Sequence, residues 1–432
     1  MSAWFALMLL MSAAMGLRAL WKPSTFLEYP TVVGLLMLGW FLPQAWGIER
    51  QGPSWVFEPR SAWIYVLMCL VSIWGGFELG RHLKFRLRSN ASEGGMDGFD
   101  RRRLFGATLA IILLGAIFYF LMIREAETFP PGEQWSGVIT AYAFGSQLLP
   151  IGAAIALLVS LRTRSLPVFM LFVLAVLIYL PVISTSVKRA PAFELAAIIG
   201  GGCFFGRNIV PPRALLIFAS VLGIVLIHQA GAMRSFVKEN DSTIIEAFSA
   251  ESTRTLSVLH LERDQVAEVQ GAVSDIAIVD QGATIRPFAS IWNQLVSQYY
   301  PSFVFGREAK DALMTAPFTG EGGAVSRFRG YFGSTRTGFS DTYTSFGPLG
   351  VIAFAFVSVL FGWIYERAST GDLRAQLLYL VLLSDGLLVI THSVAALVAQ
   401  LPINFLVTGT VFALCKARGR PTRRLTAASG SL

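Results

Sequence analysis

Three arginines in the stretch GEGGAVSRFRGYFGSTRTGFSDTYTSFGPLGV, residues 320–351, carry the chain's most concentrated chemistry. Arg327, Arg329 and Arg336 follow one another with no acid between Glu321 and Asp341. Guanidinium groups stay charged and present forked donors that match phosphate oxygens, and the surrounding glycines let backbone N–H groups approach a bulky anion. The pattern therefore suits a phosphate-bearing lipid or its headgroup, although a long extramembrane loop rich in arginine and glycine would read the same way. A second basic site is SVKRAP, residues 186–191, where Lys188 and Arg189 either reach the same anion or extend to lipid headgroups. Two acids stand near these groups. Glu194 lies in a short apolar segment that begins at Pro191, an arrangement expected of a short or partly re-entrant helix facing a polar cavity. Asp341 is the one acid beside the arginines of the closing segment, placed either to take a proton from an attacking hydroxyl or to hold Arg336 by an ion pair. Tyr343 can hydrogen-bond to or stack on a ligand, or anchor a helix at the membrane interface.

The elements that must position these residues are apolar helices. Of the 432 residues, 54% are hydrophobic and only 14% charged, which excludes a soluble domain of this size and predicts an all-α, polytopic transmembrane bundle. Apolar runs of spanning length fall near residues 2–21, 30–48, 61–80, 104–123, 136–161, 166–186, 191–206, 214–233, 347–366, 375–393 and 395–415, about eleven helices in all. Three regions result: helices one to eight over residues 1–233, one long loop over 234–346, and helices nine to eleven with a basic tail over 347–432. The N-terminal apolar run has no basic residue before it, so it reads as a retained first helix and not a cleaved signal. Clusters such as RHLKFRLR, DRRR and the tail KARGRPTRR concentrate positive charge on one side, which predicts an N-out, C-in topology with the long loop outside.

Within the loop, residues 253–269 and 284–300 show helical spacing of apolar and aromatic residues. Both are expected to lie on the membrane as amphipathic helices, or to pack together as a small helical domain. The net charge of +8 is dispersed between spans, which argues against nucleic-acid binding. The three cysteines, Cys69, Cys203 and Cys415, sit in or at the end of apolar runs and imply neither a disulfide nor a thiolate metal site. No P-loop, HExxH or GxSxG motif occurs, and four scattered histidines do not make a metal centre. Asp385, mid-membrane, is a further acid that could pair with a cavity arginine.

The segment GFSDTYTSFGPLGVIAFAFVSVLFG, residues 338–362, resembles the one that closes the main periplasmic loop of bacterial O-antigen and exopolysaccharide repeat-unit polymerases. The shared positions are Tyr343, Phe346, Gly347 and Gly350. QYYPSFVFGREAKDA, residues 298–312, is similar to that family's proline-and-basic patch, and SVKRAP to its short arginine-bearing loop. The resemblance implies a multi-pass glycosyltransferase of the bacterial inner membrane that joins undecaprenyl-diphosphate-linked oligosaccharides without a metal ion or other cofactor, alongside a protein that sets chain length. For such a reaction Arg189, Arg327, Arg329 and Arg336 are expected to contact the diphosphates with Lys188 assisting, Asp341 to act as base or to hold Arg336, and Glu194 and Tyr343 to bind substrate. O-antigen ligases share the architecture but carry a histidine where this chain has Ser340 and Asp341. A flippase for lipid-linked oligosaccharides is the other alternative, and it predicts repeated helical halves.

Overall fold

The computed structural model describes residues 1–51, 58–83, 98–126, 138–186, 189–224, 267–315, 318–319 and 336–416. Among these residues, eight helical stretches are long and apolar enough to cross a membrane. They are α1 (Ala3–Trp21), α2 (Tyr29–Arg50), α3 (Arg60–His82), α4 (Arg101–Ala126), α5 (Val138–Thr163), the composite Gly338–Ser369, and two further helices at Leu373–Thr391 and Val394–Cys415. Two of the three other expected segments are helical, as α6 (Leu166–Ser186) and α7 (Arg189–Arg207), and the third, 214–233, is helical over its described part, α8 (Arg213–Ile224), with 225–233 outside the described residues. The chain is thus an all-α, multi-pass helical protein. The segment expected to be short or re-entrant is instead an unbroken helix: α7 runs 19 residues, about 28 Å at the α-helical rise. Pro191 sits in its first turn, where a missing N–H removes no intrahelical bond.

The loop region contributes α9 (Ala267–Asp280) and α10 (Ala289–Tyr299), and a two-stranded antiparallel ribbon pairs Thr284–Ile285 with Phe318–Thr319. Of the loop segments read as helical, α10 falls inside residues 284–300. Only the last three residues of 253–269 belong to α9, and 253–266 lie outside the described residues. Neither the ribbon nor the rest of α9 was anticipated. α9 is not a surface helix: Val269, Ala272, Val273 and Ile276 are buried, and Trp40 on α2 donates to Glu268 at 2.7 Å. A widened π-helical turn at Met37–Phe41 occurs in α2 at the level of this contact.

The composite span divides at a tight Gly347–Gly350 turn into α11 (Gly338–Phe346) and α12 (Val351–Ser369), followed by α13 (Leu373–Thr391) and α14 (Val394–Cys415). The face carrying α9 to α11 is called here the loop face. At the opposite, far face, Arg18 lies 3.1 Å from both Glu28 and Glu78, and Arg81 lies 3.4 to 3.5 Å from Glu28, Glu78 and Glu366. These pairs tie α1, the α1–α2 turn, α3 and α12 together. Burial raises the Glu28 carboxyl above its ordinary value, and Arg18 and Arg81 pull against that shift.

α3 and α12 pack with their backbones almost touching. A Cβ on Gly76 would lie 2.6 Å from the Ala355 carbonyl oxygen, one on Gly80 2.2 Å from that of Val359, and one on Gly362 2.1 Å from that of Phe77. Gly76 and Gly80 form the small-xxx-small spacing that lets two membrane helices approach closely, since apolar lipid offers no hydrophobic drive for helices to associate. Gly80→Val is therefore expected to force the pair apart and destabilise the fold by about 1–3 kcal/mol or more. Detergent-titration unfolding of the purified protein would register this as a lowered midpoint relative to the exposed control Val71→Ala.

Candidate functional site

Thr337 caps α11, its hydroxyl accepting from the Ser340 N–H at 3.3 Å. Gly338, the first residue of α11, is pressed against α13: a Cβ there would stand 1.6 Å from the Val389 carbonyl oxygen, so no other residue fits without displacing a helix. This seating delivers Asp341, 6% exposed, to the corner between α13 and α14. One Asp341 oxygen accepts the Ser290 hydroxyl from the first turn of α10. The other accepts the Ser393 hydroxyl, at 2.6 Å, from the residue that also caps α14 by accepting from Ala395 N–H. Asp341 is itself in the first turn of α11. Three helix N-termini thus converge on one carboxyl group, and each brings the partial positive charge of its unpaired N–H groups.

Arg336 lies just ahead of α11 with its side chain 43% exposed, and its Nε stands 3.5 Å from Asp275 Oδ2 on α9. Arg336 forms an ion pair with Asp275, and its charge also acts on Asp341, the partner left open in the sequence. The Asp275 side chain is 16% exposed. Burial raises its carboxyl above the ordinary 3.8. Arg336 and a hydrogen bond from Ser340 oppose the shift, and the Asp341 charge adds to it. Tyr343, 6% exposed, donates to Asp280 at 2.5 Å and meets the Tyr65 ring edge-on at 4.7 Å. Its ring braces α11 against α9 and α3, and shows no open face on which a sugar could stack.

Glu194 belongs to a second polar centre. It lines a cavity of about 290 Å³ with Asp385, Tyr179, Asn404, Gln147 and Ser384. The Tyr179 hydroxyl donates to Glu194, and the Asn404 amide donates to Asp385 at 3.2 Å. Asp385 has this amide partner, and among the described residues no basic side chain lines the cavity. Ala190 and Pro191, immediately after Arg189, also line it, so the start of α7 forms part of its wall. Lys188, Arg327 and Arg329 lie outside the described residues, as does the side chain of Arg189. Of the residues singled out in the sequence, the fold therefore gathers Arg336, Asp341 and Tyr343 at one cluster and sets Glu194 in the cavity. The two centres are joined by α13, which carries Asp385 and Leu388 in the cavity wall and ends at the Ser393 corner.

Sequence reasoning missed Asp275, Asp280, Ser290 and Ser393. A signal existed for Asp275: an acid within the apolar series Val269, Ala272, Val273, Ile276 marks a helix whose buried face carries a charge. None existed for the two serines, which are ordinary helix-start residues until Asp341 is placed between them. Among the described residues, no group of three or more histidine, cysteine, aspartate or glutamate side chains is arranged to hold a metal ion. No family model, curated protein or solved structure matches this chain.

Because the folded state holds the Asp275 proton more tightly than the unfolded chain does, this residue's contribution to stability declines as pH rises from about 3.8 through its raised pKa. Asp275→Asn removes that decline. Unfolding midpoints measured from pH 4 to 8 are expected to show the wild type losing stability relative to the variant as pH increases, and parallel curves would contradict the assignment.

Proposed function

We propose that this protein is a membrane glycosyltransferase that polymerises lipid-diphosphate-linked oligosaccharides at the loop face. The observation that carries the reading is the Arg336–Asp275 pair, a partly exposed guanidinium and a shielded carboxylate held by α9 and α11 over the Asp341 junction. It adds to the arginine-rich closing segment and its likeness to repeat-unit polymerases.

In the proposed reaction an acceptor sugar hydroxyl attacks the anomeric carbon of the growing glycan. The new bond forms to the hydroxyl oxygen while the bond to the lipid diphosphate breaks, the hydroxyl proton passes to a carboxylate, and the lipid diphosphate leaves with the electron pair. Arg336 stabilises charge that grows on the departing diphosphate, an interaction stronger in the transition state than in the ground state. Asp275 is the better placed proton acceptor. It is reachable, it faces Arg336, and its raised pKa favours taking a proton once the diphosphate draws the guanidinium away. Asp341, with both oxygens occupied by serine hydroxyls, keeps three helices in register around this pair. Arg189, Arg327 and Arg329, with Lys188, would supply further positive charge to a second diphosphate, and the bilayer would hold the isoprenoid tails.

The test is reconstitution in proteoliposomes with undecaprenyl-diphosphate-linked oligosaccharide, following product length. The wild type is expected to produce a ladder of multiples with or without chelator. Arg336→Ala is expected to lower kcat/KM by about a hundredfold or more, with Arg336→Lys restoring part of the loss. Asp275→Asn should lower kcat more than it raises KM. A wild type that never extends the glycan rejects the reading. Asp341→Asn is expected to lower the unfolding midpoint as well as activity, because a buried carboxyl held by two hydroxyls becomes an amide with one mismatched donor.

A further inference from the structure

Among the described residues, the Glu194–Asp385 cavity offers a diphosphate no cation. Two carboxyl groups line it, and every other described polar group in its wall is a hydroxyl or an amide. Among the described residues nothing there would compensate a phosphate for the water it leaves behind. The wall nonetheless has unused hydrogen-bonding capacity. Each carboxyl group accepts one protein donor, from Tyr179 or Asn404, and a carboxylate has about four lone-pair sites. The Gln147 amide, at the break between the two helical segments of α5, lines the same cavity and has no side-chain partner among the described residues. The group that fits such a wall is uncharged and rich in hydroxyl donors.

The position matters equally. Met122 lies four residues before the end of α4, Glu194 five residues after the start of α7, and Asp385 six residues before the end of α13. At the α-helical rise these offsets put the cavity about 6–9 Å beneath the loop-face ends of the helices. α10 lies alongside, with Tyr299 donating to the Ala399 carbonyl at 2.6 Å and meeting the Phe144 ring at 6.2 Å. The cavity and the Asp275–Arg336 pair thus lie toward the same end of the bundle, linked through α13. At about 290 Å³ it is near the lower end of ligand pockets and suits one ring rather than a chain.

We infer that this cavity is a sugar subsite, in which Glu194, Asp385 and Gln147 hydrogen-bond the hydroxyls of one ring while the diphosphate of the same substrate is held at the arginine face. Assigning the ring to a lipid-linked substrate rests on the function proposed above; the unused hydrogen-bonding capacity of the cavity does not. The described hydroxyl, amide and carboxyl groups of the cavity and the guanidinium of Arg336 then set the direction in which the substrate lies.

The experiment uses the full-length protein in nanodiscs and three probes: undecaprenyl diphosphate, the same lipid carrying an oligosaccharide, and the free oligosaccharide. Glu194→Gln and Asp385→Asn are expected to weaken both sugar-bearing probes by about tenfold or more, as for hydrogen bonds to charged groups, and to leave the bare lipid diphosphate unchanged. Arg336→Ala should do the reverse, weakening both diphosphate probes and sparing the free oligosaccharide. Ala143→Phe fills the cavity from a partly exposed position without altering a charge, and should remove the sugar-dependent part of binding. It keeps the test valid if an acid variant fails to fold. Unaltered sugar binding in all three cavity variants overturns the inference, as does sodium-dependent stabilisation that Asp385→Asn abolishes while sugar binding persists. If the binding pattern holds but no glycan is extended, the subsite stands and the polymerase reading falls. If glycan is extended while cavity variants bind and turn over normally, only the subsite falls.

Discussion

One buried carboxyl group closes the loop-face end of this bundle. Polar atoms removed from water must find partners within the protein, and the two Asp341 oxygens find theirs in Ser290 and Ser393, from segments that otherwise have no reason to meet. The same contact places three helix N-termini at one point. Their aligned N–H groups would oppose one another if nothing negative or lone-pair-bearing stood between them. Asp341 therefore determines where α10, α11 and α14 begin relative to each other, and Arg336 and Ser340, its near neighbours in sequence, inherit their positions toward Asp275.

The rest of the bundle makes that junction rigid. At the far face a network of two arginines and three glutamates binds the ends of α1, α3 and α12. Between the faces, Gly76, Gly80 and Gly362 bring α3 and α12 into backbone contact, and Gly338 does the same for α11 against α13. Close contacts of this kind cannot slide without a clash, so the loop-face polar groups rest on a frame with few alternative arrangements. A catalytic constellation needs such support, because small displacements of a charged donor cost most of its effect on a transition state.

Polar groups occupy two levels of the structure. Arg336 stands at the surface with Asp275, while Glu194 and Asp385 occupy a cavity beneath with hydroxyls and amides for company. An amphiphilic ligand with an anionic centre and a neutral polar body meets complementary surroundings in only one orientation. This division follows from the antiparallel run of α13, which passes the cavity with Asp385 and then reaches the junction at Ser393.

The membrane helices were legible in the sequence because each satisfies its own backbone hydrogen bonds and is marked by a local apolar run, as at 61–80 or 395–415. Arg336 and Asp341 stood out for a similar reason: charge concentrated beside an apolar run is visible without a fold. The unbroken course of α7, the burial of α9 and the ion pair of Arg336 with Asp275 were not. Each depends on contacts between distant segments, and the two serines that hold Asp341 lie 51 and 52 residues away from it along the chain. Composition and periodicity determine which stretches enter an apolar medium. Which polar groups then meet is decided by helix packing, since in that medium a buried hydroxyl or carboxyl group must pair with whatever the neighbouring helix presents.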